Sequence, residues 1–201
     1  MIKIRNGMAS TQTKRLFVAA FPPVEIVARL QAVPGDLVKE VPARAVRWTR
    51  PDQIHLTLFF LGAVEVSRVE EVQAAVVAAC QEHPSPRVNV TGLGCFPGPA
   101  QPRILWAGLS GDDESLRRLK QSIDAQLLAS GFAGEDRPFH PHLTLGRVTQ
   151  LNLASRKKIT AALEKARAAA FGSWQINRID LMQSILSPHG STYAILRSVA
   201  L

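Results

Sequence analysis

The tetrapeptide His-Leu-Thr-Leu occurs twice in this chain of 201 residues, and no other feature constrains the fold as strongly. The first copy occupies residues 55–58 and the second occupies residues 142–145, an offset of 87 positions (142 minus 55). A duplicated core strand would account for the leucines, but not for a histidine and a threonine at the same two places. We therefore interpret the sequence as two related halves.

The segments around the two copies also correspond. Each half opens with an arginine and an apolar, strand-like run, RLFVAAF at 15–21 and RILWAGL at 103–109. Apolar spacing predicts helices at 24–33, 66–80, 113–129 and 153–170, and strands at 87–93, 173–186 and 192–201. Within 113–129 the predicted apolar positions are Leu116, Leu119, Ile123, Leu127 and Leu128. The predicted order is strand, helix, strand, helix, strand, repeated with an offset of 87 or 88.

This order predicts an α+β protein with two pseudo-symmetric lobes, each a mostly antiparallel sheet backed by helices, around a central cleft. A doubly wound parallel sheet that binds a nucleotide is disfavoured, because no Gly-rich phosphate loop follows any predicted strand. We expect residues 1–14 to form a flexible basic extension and residues 15–201 to form one bilobal domain. The repeat halves are expected at roughly 15–98 and 103–201.

Composition narrows the functional class. Hydrophobic residues make up 46% and charged residues 20% of the chain, as in ordinary globular proteins, and no apolar run approaches the roughly 18 residues of a membrane span. The N-terminal segment lacks the apolar core of a secretory signal. Cys80 and Cys95 do not form a disulfide framework, so we expect reduced thiols in a cytoplasmic protein. We expect a monomer, because each lobe covers the other.

The net charge is +8, and four of the basic residues precede the first acidic one: Lys3, Arg5, Lys14 and Arg15. The rest of the chain has 20 basic and 16 acidic residues, a balance of +4. A moderately basic body favours an anionic substrate over a cationic one.

Side chains alternate across a strand, so the histidine and threonine of each copy share one face and the two leucines share the other. His55 and Thr57 would lie about 6.6–7 Å apart along the backbone, as would His142 and Thr144. If both strands face one cleft, two imidazoles flank one space. Since histidine titrates near pH 6.5, one ring can act as a base while the other acts as an acid. The hydroxyl groups can donate hydrogen bonds to phosphate oxygens, and this set of groups fits a phosphodiester without a metal ion.

Two other interpretations stay open for these histidines. In the first interpretation, both histidines are hydrogen-bonded structural residues. In the second, His140 and His142 join His55 in a zinc site, although the first copy has no second histidine and no carboxylate ligand is obvious. A third possibility for the whole protein is a module that binds nucleotide or RNA in the same cleft without catalysis.

The two HLTL segments, with their flanks, resemble the paired motifs of the two-histidine (2H) phosphoesterases. The resemblance is to the RNA 2′,3′-cyclic phosphodiesterase branch, also called the 2′-5′ RNA ligase family, and runs from Arg15 to the end of the chain. It includes RLFVAAFPP, VRWTRPDQIHLTLFFLG, FPGPAQPRILWAGL, FHPHLTLGR and SILSPHGSTYAIL. A single H-x-T motif would carry little weight, whereas two with these flanks are specific.

The resemblance implies roles for the repeated residues. His55 would donate a proton to the leaving oxygen, His142 would accept one from the attacking water, and Thr57 and Thr144 would bind the phosphate. The substrate would be an RNA end or a nucleotide with a 2′,3′-cyclic phosphate, opened to a 2′-phosphomonoester without a cofactor. In reverse, the same site would join 2′-5′ linkages without ATP.

Further substrate contacts are predicted at Arg147, Phe96 and Tyr193. Arg147 matches an arginine that often follows the second motif in this family, but its odd spacing from His142 would turn it to the opposite face unless the strand bulges. The equivalent position in the first half is Phe60. Aromatic residues that could stack on a base are Phe17, Trp48, Phe96, Trp106 and Tyr193, with Phe96 and Tyr193 favoured by their position beside turns. His83 and His189 are expected in exposed loops.

Overall fold

A computed structural model describes residues 12–38, 44–81, 83–150, 152–188 and 190–201. Residues 1–11 of the predicted extension and His189 lie outside the described residues. The first strand begins at Thr13, two residues before the predicted start of the folded domain.

The described strands are β1 (Thr13–Ala20), β2 (Val46–Trp48), β3 (Leu56–Glu65), β4 (Arg87–Phe96), β5 (Ile104–Gly111), β6 (His142–Val148), β7 (Ala170–Gln175), β8 (Arg178–Ser187) and β9 (Gly190–Ala200). The helices are α1 (Val24–Val38), α2 (Val69–Cys80), α3 (Asp113–Ala129) and α4 (Leu153–Lys165). Short 3-10 turns occupy Pro51–Gln53 and Val66–Arg68.

The strands form one sheet in the order β7-β4-β5-β6-β3-β1-β8-β9, and β2 pairs with β6 beside this path. All strand pairs recorded in the described residues are antiparallel. The predicted α+β class with a mostly antiparallel sheet is therefore confirmed.

The two lobes of the sheet meet between β3 and β6, and they are not the two halves of the sequence. One lobe contains β1, β3, β8 and β9, and the other contains β4, β5, β6 and β7. The first half thus gives β4, and β2 beside β6, to the second lobe, and the second half gives β8 and β9 to the first. Because β4 pairs with β5 and β7 of the second half, and β8 pairs with β1 of the first half, the two halves of the sequence are interlocked.

The helices cover the sheet through their apolar faces. In α3, the side chain of Asp112 caps the first turn by accepting a hydrogen bond from the amide N–H of Ser115 (3.2 Å). Four of the five predicted apolar positions are buried, whereas Leu128 is 51% exposed. Asn152 and Ser155 cap α4 reciprocally. None of the helices in the described ranges has the length and hydropathy needed to cross a membrane.

The strand register repeats along with the sequence. Val18 pairs with Phe59, Ala19 with Thr57 and Ala20 with Leu56. Adding 87 to every number gives the pairs observed in the other lobe: Leu105 with Gly146, Trp106 with Thr144, and Ala107 with Leu143. Both ladders skip one residue at the same place, Leu58 in β3 and Leu145 in β6. The correspondence includes a β-bulge in each half.

Candidate active site

The two motifs meet where the lobes join. Leu56 of β3 and Leu143 of β6 are direct antiparallel partners, and both are buried. One step along this register in each direction puts His55 across from Thr144 and Thr57 across from His142. Directly opposite residues lie about 4.5–5.5 Å apart and project from the same face of a sheet. All four side chains are only partly buried, so the predicted shared face is accessible.

Both imidazole rings are held in the same way. Nδ1 of His55 is 2.7 Å from the carbonyl oxygen of Gln53, and Nδ1 of His142 is 2.7 Å from the carbonyl oxygen of His140. A carbonyl oxygen only accepts, so Nδ1 is the donor in each ring. In its neutral form each ring therefore has its free lone pair at Nε2. Two matched histidines thus offer Nε2 for proton transfer.

Aromatic rings enclose His55. Its ring centroid lies 5.0 Å from that of Phe17, 5.4 Å from that of Phe21 and 5.5 Å from that of Tyr193. Phe17 belongs to a small buried cluster with Ala19 and Met182, on which Phe21 and Tyr193 pack. Strands β1, β8 and β9 therefore build an apolar wall around one imidazole.

A second aromatic group adjoins His142. The ring of Phe96 stands edge-on to the imidazole at 5.0 Å between centroids, and that of Trp106 lies at 6.5 Å. Gly94 makes room for the indole, because a Cβ atom there would come within 2.3 Å of the Trp106 ring. Phe96, at the end of β4, and Trp106, on β5, bring the second lobe to the site.

Burial depresses the basicity of both histidines. Desolvation lowers the pKa of His55 to about 4, against the opposing effect of its hydrogen bond to Gln53, and the nearby His142 lowers it further. Burial is also the main cause that lowers the pKa of His142, followed by the hydrogen bond to His140, which raises it. Burial therefore favours the neutral form of both rings in the free protein. The electrostatic influence of one ring on the other agrees with their placement on one face.

The β-bulge decides the direction of Arg147. Because Leu145 is the extra residue in β6, Arg147 returns to the face of His142. The same bulge brings Phe60 to the face of His55, where its ring lies 5.9 Å from that of Phe17 and is 50% exposed. Equivalent positions of the two halves thus carry a guanidinium group and a phenyl ring.

Tyr193 lies on β9, in the closing hairpin of β8 and β9, close to residues from both halves of the site. The Ser191 carbonyl accepts hydrogen bonds from Gln53 and Arg50, which tie β9 to the segment before His55. Burial raises the pKa of Tyr193, and Arg147 opposes this change. Arg147 therefore lies close enough to Tyr193 to act on its hydroxyl group. The predicted contact residues Arg147 and Tyr193 lie on the histidine face.

The family model of the 2′-5′ RNA ligase superfamily matches residues 21–186. The chain belongs to this superfamily. An RNA 2′,3′-cyclic phosphodiesterase of Archaeoglobus fulgidus is 33% identical over 187 residues, which cover 91% of this chain and 98% of that protein. A protein of the same name from Aeropyrum pernix is 34% identical over 149 residues, 74% of this chain and 82% of that one. The crystal structure of TT0787 of Thermus thermophilus has a TM-score of 0.76 at 28% identity, covering 93% of this chain and 97% of that one.

Other candidate residues of this superfamily member lie elsewhere. His140 is exposed just before β6 and takes part through its carbonyl group. His83 is half-buried in the loop before β4. Trp48 packs over Gly146, on the face opposite Arg147. No three His, Cys, Asp or Glu side chains of the described residues are grouped to hold a metal ion, and this includes the three histidines of the alternative zinc site.

The sequence pattern did not predict two neighbours of His55. Phe21 ends the RLFVAAF run, where an aromatic residue is ordinarily part of a core. Gln53 acts through its carbonyl, which accepts from His55, and its side chain, which binds the Ser191 carbonyl. The matching carbonyl in the other half belongs to His140, two residues before His142. The only mark of these carbonyl groups in the sequence is their position, because each belongs to the residue two positions before a motif histidine.

Proposed function

We propose that this protein hydrolyses 2′,3′-cyclic phosphates of RNA ends or nucleotides to 2′-phosphomonoesters by metal-independent acid–base catalysis. One observation carries the proposal: the Leu56–Leu143 pair brings both histidines and both threonines to one face, with each Nε2 available. Relatives that match this chain over nearly their whole length are named RNA 2′,3′-cyclic phosphodiesterases, which supports this substrate class.

In this proposal Nε2 of His142 removes a proton from water as the water oxygen attacks phosphorus. The bond from phosphorus to O3′ breaks, and Nε2–H of His55 protonates O3′. One water is consumed and a 2′-phosphomonoester is released. Thr57, Thr144 and Arg147 bind the non-bridging oxygens, whose charge grows in the transition state. Phe96 and Tyr193 contact the nucleoside beside each histidine.

The proton donor has to be charged before it can act. Burial lowers the pKa of His55 to about 4 in the free protein. A bound phosphodiester brings a negative charge close to this ring and favours its protonated form. The proton comes from solvent, and the negative charge of the bound substrate stabilises it on the ring. Without this negative charge, the apolar wall around His55 would keep the ring neutral.

The same groups support the joining of RNA ends. A 5′-hydroxyl end of RNA takes the place of the attacking water: His142 removes its proton as its oxygen attacks phosphorus, the bond from phosphorus to O3′ breaks, and His55 protonates O3′. Ligation through a 2′-5′ linkage follows without ATP, because the cyclic phosphate is itself the activated group.

We further propose that residues 15–201 work as one monomeric bilobal unit in the cytoplasm, where RNA ends occur and where Cys80 and Cys95 stay reduced.

The test is to incubate the purified protein with adenosine 2′,3′-cyclic phosphate in the presence of EDTA and to locate the phosphate in the product. A 2′-phosphate supports the proposal, and a 3′-phosphate would reassign the leaving oxygen. Binding without turnover would favour a non-catalytic nucleotide-binding module. Loss of activity with EDTA, restored by zinc, would favour a metal hydrolase.

A further inference from the structure

Two arginines face each other across adjacent strands at the end of the site. Arg47 of β2 is the direct antiparallel partner of Arg147 of β6. Cross-strand partners project from the same face, so Arg47 shares the face that Arg147 and His142 occupy. Their neighbours confirm this direction, because Val46 and Trp48 pack around Gly146 on the other face. Both arginine side chains are exposed.

A third arginine lies on the other side of β6. The carbonyl group of Arg103, just before β5, accepts the amide N–H of Val148 (2.9 Å), which places Arg103 beside the residue after Arg147. Arg103 and Arg147 line one cavity of about 440 Å³ together with Gln101, Ile104 and Thr149. Arg147, which shares the histidine face, is thus one of the residues that bound this cavity.

These guanidinium groups lack anionic partners within the described residues, where no carboxylate forms an ion pair with Arg47, Arg103 or Arg147. Several other arginines have one: Arg50 pairs with Asp52 and Arg68 with Glu71. Like charges directly across a strand pair are destabilising. A sheet that keeps two arginines opposite each other is therefore suited to an anion at that place.

We propose that Arg47 and Arg103 bind a second phosphate of the substrate, the one attached to the 5′ oxygen of the nucleotide that carries the cyclic phosphate. This inference rests on the proposed function and names the substrate class more closely. A nucleotide at the end of an RNA chain has this 5′ phosphate, whereas a cyclic nucleoside monophosphate lacks it. The arrangement selects RNA ends and 5′-phosphorylated nucleotides, with Arg147 between the two phosphate sites.

The test compares two substrates, adenosine 2′,3′-cyclic phosphate with and without a 5′-phosphate. Their respective products are adenosine 2′,5′-bisphosphate and adenosine 2′-monophosphate. We expect the 5′-phosphate to tighten product binding, measured by calorimetry, and to raise kcat/KM, each by about tenfold, since charge-assisted contacts to phosphate are strong. We expect the double variant Arg47→Gln and Arg103→Gln to reduce this ratio to nearly one. The control is the double variant Arg118→Gln and Arg167→Gln, which removes the same charge from exposed residues paired with Glu114 and Glu164.

Salt dependence gives a second readout. Each phosphate contact on a single strand changes the slope of log affinity against log salt by about 0.7. The bisphosphate should show the steeper slope, and the Arg47→Gln and Arg103→Gln variant should not distinguish the two ligands. A 5′-phosphate without effect in the wild type, or an effect retained in that variant, would overturn the second phosphate site. Tight, arginine-dependent binding of the bisphosphate without turnover of either cyclic substrate would leave this site standing and overturn the proposed activity.

Discussion

At His55 and at His142 the strand register, the β-bulge and the hydrogen bond to a carbonyl two residues earlier are the same, but the surroundings differ. Three aromatic rings enclose His55, on strands of the first lobe and the closing hairpin. Two rings adjoin His142, which leaves that side more open. The shared features fix the position of each ring, while the differences set how readily each is protonated.

The comparison extends to the residues after each bulge. Phe60 adds apolar surface next to His55, whereas Arg147 adds positive charge next to His142. The surroundings of His142 therefore attract anions, whereas those of His55 exclude water. The backbone around the two histidines is alike, but their surroundings differ, as a reaction with an attacking and a leaving oxygen requires.

The largest expected effect comes from removing either histidine. His55→Ala and His142→Ala should each lower kcat/KM on adenosine 2′,3′-cyclic phosphate by at least about 10²–10⁴-fold, because each removes a proton-transfer group. Melting temperatures near that of the wild type would show that the fold is intact. Appreciable activity in either variant would contradict the proposed pair.

A substrate with a better leaving group separates the two roles. A 3′-deoxynucleoside 2′-(4-nitrophenyl phosphate) has no 3′-hydroxyl to attack phosphorus, so water is the nucleophile, and its 4-nitrophenolate leaves without protonation. It should therefore be cleaved well by His55→Ala and poorly by His142→Ala. The opposite pattern would exchange the acid and the base between the half-sites.

The second expected effect concerns the residues after the bulges. Arg147→Gln should lower kcat/KM by about 10–100-fold, the value of a hydrogen bond to a charged group. Phe60→Leu, at the equivalent position, should lower it much less, since it removes no charge. Steady-state kinetics on both variants measures this difference. Equal losses would mean that Arg147 does not contact the phosphate.

How much of this was predictable from the sequence depends on the level of structure. The HLTL repeat was enough to predict the fold class and to place the histidines and threonines on a shared face, because period-two alternation fixes faces along a strand. The exchange of β4 and β8 between lobes was not predictable, since strand pairing between distant segments has no local signal. The direction of Arg147 depended on a bulge at Leu145 that no residue pattern marks. Phe21 was missed because an aromatic residue at the end of an apolar strand-like run is normally part of a core.

The third expected effect is on the pH profile. Catalysis needs one protonated and one neutral ring, and burial lowers the pKa of both. The profile of kcat/KM, which reports the free protein, should therefore be bell-shaped with its maximum below pH 6.5. Bound phosphate raises both values, so the maximum of kcat should lie about one pH unit higher or more. Coincident profiles, or a kcat/KM maximum above pH 7, would contradict substrate-assisted protonation.

The smallest expected effect is on stability in acid. Because the pKa of His55 falls from 6.5 to about 4 on folding, the unfolded chain binds more protons than the native protein between these values. This contribution to stability is complete above pH 6.5 and is lost as the pH falls towards 4. His55→Asn removes the titration, so its melting temperature, relative to pH 7.5, should drop less than that of the wild type, by about 2–4 °C for each kcal/mol retained. His142→Asn should flatten the acid dependence less, since its ring is the more open of the two. Calorimetric scans of the three proteins from pH 4 to 7.5 test this order, and equal flattening would mean that the aromatic wall does not distinguish the half-sites.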